Sequence, residues 1–225
     1  MFFDTSIVLL IPAIIISMYA QQKIQSTFAK YSRAFAQSNY TGYDVARMIL
    51  DRNNLDEVKI EHIPGNLTDH YDPRTKILRL SDSVYDSRSI AAYGVAAHEV
   101  GHAIQHSSRY VPLVVRNTLV PVVSFSSKFV WILVMLGLFL GYMGLVQIGI
   151  VLFLGIVIFQ LVTLPVEFDA SNRAILQLEG LNFLQDDEIV NAKKVLNAAA
   201  LTYVAAALTA VSQLIRLIML SNRRR

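Results

Sequence analysis

The chain has 225 residues, of which 54% are hydrophobic and only 16% charged, with a formal net charge of +3. That is more apolar than a soluble domain of this size carries, so composition excludes an ordinary water-soluble globule and points to a membrane-embedded protein. The absence of cysteine excludes disulfides and thiolate ligands, so any metal bound here must use nitrogen and oxygen.

Residues 1–22 contain "FFDTSIVLLIPAIIISMYA", which has the length of a transmembrane span. No basic residue precedes it and no small-residue cleavage site follows before Gln21, so it reads as a retained anchor and not a removed signal peptide. Residues 23–110 read as a small extramembrane domain, because polar residues, turn signals and short alternating runs replace the long apolar stretches. In "TGYDVARMILDRNN", apolar Val45, Met48 and Ile49 after Thr41 predict a capped amphipathic helix ending at Asn53 and Asn54. The alternating runs "EVKIEHI" and "KILRLS" predict two strands of a short β-hairpin, joined by the long polar loop "PGNLTDHYDPRT".

Next comes "SIAAYGVAAHEVGHAIQH", Ser89 to His106, which has no proline inside it and Ser87 or Ser89 available as an N-cap. On a helix, His98 and His102 lie one turn apart on one face and can direct ring nitrogens to one ion. Zinc accepts such a pair, and Glu99, 100° around from His98, can serve as general base toward a water activated by the ion. The competing reading is a helix that carries two structural histidines by chance.

Residues 111–166 read as a transmembrane hairpin. From Phe129 to Val166 there is no charged residue, and as one helix that run would be about 57 Å long, nearly twice the hydrocarbon thickness of about 30 Å. It must fold back, and "GYMG" at Gly141 to Gly144 offers the turn, with spans over roughly residues 123 to 141 and 145 to 164. Residues 167–197 open with Glu167, the first charge after the apolar run, and Pro165 is expected to kink or restart the helix there. Residues 198–225 hold the alanine-rich run Ala198 to Leu220, either a fourth span or a helix packed on the protein, followed by a basic tail.

A third ligand must come from outside the histidine pair. His106 continues the spacing, but eight residues of helix rise about 12 Å, too far for three imidazoles to converge on one ion. A metzincin-type third histidine after a glycine turn is also missing from "HAIQHSSRYVP". Two spans return the chain to the side it left, so Glu167 shares a membrane face with His98 and His102 and is a candidate ligand. Small Ala170, Ser171 and Ala174 near Glu167 would let helices pack closely. The alternative for Glu167 is an interfacial carboxylate paired with Arg173 or another base.

Among other residues, His70 in "TDHYDP" either binds substrate or the transition-state oxyanion, or caps a turn. Asp169 either orients a ligand histidine through its second nitrogen or pairs with Arg173. Arg173 steadies the tetrahedral intermediate or anchors at the lipid surface. His62 and His106 read as surface histidines.

The stretches "LTDHYDPRTKILRLS", "SIAAYGVAAHEVGHAIQ" and "TLPVEFDASNRA" closely resemble the bacterial YugP-like family of neutral zinc metallopeptidases, over about Gln37 to Leu201. The resemblance implies a membrane metalloprotease using Zn2+, with His98, His102 and Glu167 as ligands and Glu99 as catalytic base. A more distant likeness, confined to HExxH and a later glutamate after hydrophobic segments, is to the HtpX and CAAX prenyl protease group. That likeness implies a gluzincin-like core, with substrate laid as a strand against an edge strand beside the motif helix. Ser171 departs from that group, which commonly has Asp at this position.

The expectation is therefore a mainly α integral membrane protein with about four transmembrane helices and a small α+β insertion, hydrolysing peptide bonds in membrane-associated or misfolded proteins. Its partners would be protein or peptide substrates and the lipid bilayer, with no nucleic acid, since the basic residues crowd near span ends. A site-2-type intramembrane protease would need its HExxH within a span, and the motif segment is too short and polar for one. A non-catalytic, metal-stabilised scaffold is the rival from another class. Lys23, Lys30, Arg33, Arg109, Arg116, Lys128, Arg173, Lys193 and Lys194 favour a cytoplasm-facing site, whereas Arg223, Arg224 and Arg225 would then lie outside if the last run crosses.

Overall fold

A computed structural model describes residues 5–222; the terminal arginines Arg223, Arg224 and Arg225 lie outside the described residues. A 3-10 turn, Thr5–Leu10, leads into α1 (Ile11–Tyr31), followed by α2 (Gly42–Arg52), β1 (Lys59–Ile63), β2 (His70–Asp72), β3 (Ile77–Ser81) and α3 (Ile90–Ser107). Three long helices complete the chain: α4 (Val111–Leu140), α5 (Met143–Gly180) and α6 (Asp186–Asn222). Among the described residues, four helical segments are long and apolar enough to cross a membrane: Ile7–Tyr31, Val111–Leu140, Met143–Gly180 and Asp186–Asn222. The last contains the Ala198 to Leu220 run. The chain separates into two compact units, one of Met1–Gln21, Pro112–Pro165 and Leu201–Arg225, the other of Gln22–Val111 and Val166–Ala200.

In the first unit, α4 ends at Leu140 and α5 begins at Met143, with Gly141 at φ +69 in the turn, a conformation open to glycine at no steric cost. Val130 and Val134 on α4, Phe153 and Val157 on α5, and Ala210 and Leu217 on α6 form its buried cluster. Ser17 on α1 and Thr209 on α6 share a hydrogen bond of 3.2 Å. The helix does not restart at Pro165, because α5 runs through it without a break. A proline removes one helical hydrogen bond and crowds one carbonyl, a local cost that helices in apolar surroundings tolerate when the turns on either side are held.

The second unit is a packed α+β body. Thr41 caps α2 and forms a reciprocal capping box with Asp44, and Ser89 caps α3 by accepting from the Ala92 N–H. Val45, Ile49 and Leu50 of α2, Leu78 and Leu80 of β3, and Tyr93 with the alanines of α3 form a fully buried core.

The sheet corrects the expected hairpin. "KIEHI" and "ILRLS" pair in parallel, with β3 in the middle of the order β1-β3-β2. The hairpin instead joins β3 to β2, a three-residue strand inside the long polar loop, with Tyr71 opposite Leu78. Alternation fixes which face a strand buries but not which strand it pairs with, and three residues are too few to show a period.

Candidate metal centre

The helix cap at Ser89 sets the phase of α3, so His98 and His102 project from one face, their ring centroids 4.8 Å apart. That face meets α5 at a close approach: a Cβ placed on Gly101 would lie 2.6 Å from the carbonyl oxygen of Ala170. Only glycine lets the backbones come this near, and the approach brings Glu167 within reach of both rings. His98 Nε2 lies 3.3 Å and His102 Nε2 3.6 Å from Glu167 Oε2. Glu167 is buried, at 2% exposure, and the histidines are half-buried.

The opposite ring nitrogens are engaged elsewhere. His98 Nδ1 contacts Ser171 Oγ at 3.1 Å, and His102 Nδ1 contacts Gln105 Oε1 at 3.0 Å. The fully buried Gln105 amide donates to the Val166 carbonyl at 2.7 Å and to Asp169 Oδ2 at 2.8 Å. Asp169 Oδ2 also accepts from Arg173 Nε at 2.6 Å, and the Arg173 guanidinium lies over the Tyr110 ring. Burial alone pulls His102 toward the neutral imidazole. The hydrogen bond and charge of Glu167 outweigh that, and Glu99 and Gln105 add to the effect, so the pKa of His102 is raised.

Glu99 is also buried, and its Oε2 accepts from the Tyr71 N–H of β2 at 3.0 Å. The Tyr71 hydroxyl reaches His106 Nδ1 at 2.9 Å. Burial, with the charges of Glu57 and Asp72, pushes the Tyr71 phenol up to about 12, so it stays protonated. Tyr71 thus holds the edge strand to α3 at two points, one of them the glutamate of the motif.

The structure brings His98, His102 and Glu167 together and sets Glu99 beside them on α3. His70 is exposed on β2, its Nδ1 on the carbonyl of Thr68 two residues back, the turn-capping alternative. His62 is exposed and paired with Asp82. His106 is not the surface histidine expected from sequence, because the Tyr71 hydroxyl half-buries and fixes it. Asp169 pairs with Arg173 and reaches His102 only through Gln105. Sequence reasoning missed Gln105 and Tyr71. The signal for Gln105 was its position three residues after His102, on the same helix face.

The donor set suits a divalent metal such as zinc. Two imidazole nitrogens and a carboxylate oxygen, all within 4.8 Å of one another, converge from buried or half-buried positions, and each histidine has its other nitrogen tied by a neighbour.

These features define a multi-pass membrane protein with a candidate two-histidine, one-carboxylate metal centre. The chain belongs to the family described as "Putative neutral zinc metallopeptidase", whose sequence profile it matches over residues 6–222. It is 49% identical over 214 residues to the "Putative membrane protease YugP" of Bacillus subtilis (strain 168), an alignment covering 95% of each chain. No solved structure matches it.

Proposed function

We propose that this protein is a zinc-dependent membrane endopeptidase that cleaves peptide bonds in membrane-associated or misfolded proteins. The observation that carries the reading is the approach of His98 Nε2 and His102 Nε2 to Glu167 Oε2. In this reading those three side chains hold the ion, which when bound would polarise the scissile carbonyl and acidify water. Glu99 takes the proton from the attacking water and delivers it to the leaving amine nitrogen. The gluzincin-like arrangement is supported by β2, one of the two edge strands of the sheet, whose Tyr71 N–H contacts Glu99. An extended substrate would lie along that edge, displacing or sharing this contact. His70 and Arg173 are further candidates for contacts to substrate or to the developing oxyanion, and Asp169 supports the ligands from behind.

The motif helix α3 is not among the four segments long and apolar enough to cross a bilayer, which favours this reading over a site-2-type intramembrane protease. The basic residues after the first span and around the hairpin favour a centre on the cytoplasmic side. A single cysteine at Asn66 in this cysteine-free chain should accordingly be shielded from a membrane-impermeant thiol reagent in intact cells; efficient labelling would reverse the orientation.

The central test combines metal content with cleavage. Purified protein should hold about one zinc per chain, and Glu167→Ala should lose it. Glu99→Gln should keep zinc while chelator-sensitive cleavage of an unstructured reporter falls by about 10² or more. Undiminished cleavage by Glu99→Gln would remove the base from the mechanism. Zinc-dependent folding with no cleavage by the wild type would leave the metal-stabilised scaffold.

A further inference from the structure

We infer that Gln105 is a positioning residue that fixes His102 as a metal ligand: its amide holds the proton on His102 Nδ1 and so leaves Nε2 free to coordinate. The inference rests on the reading of His98, His102 and Glu167 as a metal centre. Its basis is the direction of each hydrogen bond. An amide side chain presents one oxygen that accepts and one nitrogen with two hydrogens to donate. The Gln105 nitrogen faces two acceptor oxygens, the Val166 carbonyl at 2.7 Å and Asp169 Oδ2 at 2.8 Å, the latter also accepting from Arg173 Nε. Rotating the amide by 180° would set its oxygen against both acceptors. In a fully buried side chain no water would relieve that clash.

The amide is thus locked with Oε1 toward His102 Nδ1, 3.0 Å away, and an oxygen that only accepts requires a ring nitrogen that donates. His102 therefore carries its proton on Nδ1. The other ring nitrogen, Nε2, is the one that faces Glu167.

The same side chain ties two ligands into one unit. Val166 immediately precedes Glu167, so the Gln105 bond to its carbonyl holds the backbone of the third ligand while the amide oxygen holds the second. Arg173 and Asp169 complete the series Arg173, Asp169, Gln105, His102. His98 has a weaker arrangement, because Ser171 presents a hydroxyl that both donates and accepts and so does not fix a tautomer. The inference assigns unequal importance to the two supports: Gln105 should matter more than Ser171.

The experiment uses full-length protein in detergent, carrying Glu99→Gln to suppress self-cleavage, with zinc affinity measured by competition against a chelator. Gln105→Met fills similar volume without a donor or acceptor and should weaken zinc about 10-fold to 100-fold. Asp169→Ala should weaken it in the same direction, and Asp169→Asn, which still presents an oxygen to Gln105, should recover much of the loss. Ser171→Ala should cost less than Gln105→Met. In zinc-loaded protein with 15N-labelled histidine, His102 should show a slowly exchanging Nδ1–H, and in Gln105→Met that proton should exchange rapidly. Amide hydrogen exchange of α3 in the zinc-free variants reports whether the fold survives. Unchanged zinc affinity and unchanged His102 exchange in Gln105→Met would overturn the inference, as would a Ser171→Ala loss that exceeds it. If the parent protein takes up no zinc at all, the metal centre itself fails, an outcome distinct from either.

Discussion

The two compact units bury apolar surface in opposite ways. In the unit of Gln22–Val111 and Val166–Ala200, Tyr93, Leu78, Leu80 and Leu178 are fully enclosed, and the fully buried side chain of Gln105 has partners at both ends. In the unit of Met1–Gln21, Pro112–Pro165 and Leu201–Arg225, large apolar side chains face outward, with Phe139 at 88% exposure, and at most 28% of any span's most apolar stretch is buried. Water drives the packing of the first. In the second, lipid is as apolar as the side chains, so association depends on close contact and a few polar pairs. A precise constellation of donors therefore belongs in the first kind of environment, where the packing around it leaves little freedom.

The largest expected separation of the two units comes from metal removal. Zinc held at 1,000 times its dissociation constant stabilises the folded unit by about 4 kcal/mol. Chelation, or Glu167→Ala, should therefore sharply increase hydrogen exchange in α3 and β3. The emission of Trp131, the chain's single tryptophan, packed near Phe153 in the other unit, should hardly change. Equal loss in both units would mean that they do not fold separately.

One substitution made twice sharpens the contrast. Alanine at Gly101 meets the backbone of Ala170 at 2.6 Å, which cannot yield without moving α3 or α5, so Gly101→Ala should cost roughly 1–3 kcal/mol and lower zinc retention. Alanine at Gly155, in the other unit, meets nothing nearer than a methyl of Val122 at 3.7 Å, an ordinary contact. A gain of about 1 kcal/mol in helix propensity then meets no opposing clash, leaving Gly155→Ala neutral to slightly stabilising in thermal unfolding with zinc content unchanged. Similar costs at the two sites would contradict the distinction.

A smaller effect is expected at His106. His106→Phe removes the acceptor for the Tyr71 hydroxyl and loosens the strand that contacts Glu99. It should lower kcat about fivefold, corresponding to about 1 kcal/mol, with zinc content intact, whereas His106→Asn should restore part of the rate. A loss of zinc in either variant would mean that His106 acts on the ligands instead. Smallest of all, Ser17→Ala should cost about 0.6 kcal/mol in denaturation of the apolar unit by a detergent such as dodecyl sulfate, without touching cleavage.

Much of the frame was legible from local rules. Thr41 and Ser89 announced their helices as caps, the charge-free run with "GYMG" announced a hairpin, and the spacing of His98 and His102 placed them on one helical face. These features depend on residues close together in the chain. What was not legible depends on encounters between distant segments. The parallel pairing of β1 with β3, the insertion of β2, and the contact of Tyr71 with His106 are set by tertiary packing. Gln105 drew no attention because its partners, Val166 and Asp169, come at and just past the end of the apolar hairpin. At Pro165 the local rule offered a kink or a restart, and the continuous helix removes only the restart.

The placement of Glu167 within the unbroken helix α5 bears on how the protein is made. His98 and His102 leave the ribosome well before Glu167, and between them in the chain lie all of α4 and the apolar first half of α5. A nascent chain therefore carries an incomplete set of donors until both of those helices have been delivered to the bilayer. Completion of the donor set is tied to delivery of the hairpin, so a metal-dependent hydrolase built in this way would stay silent until α4 and the first half of α5 are in place.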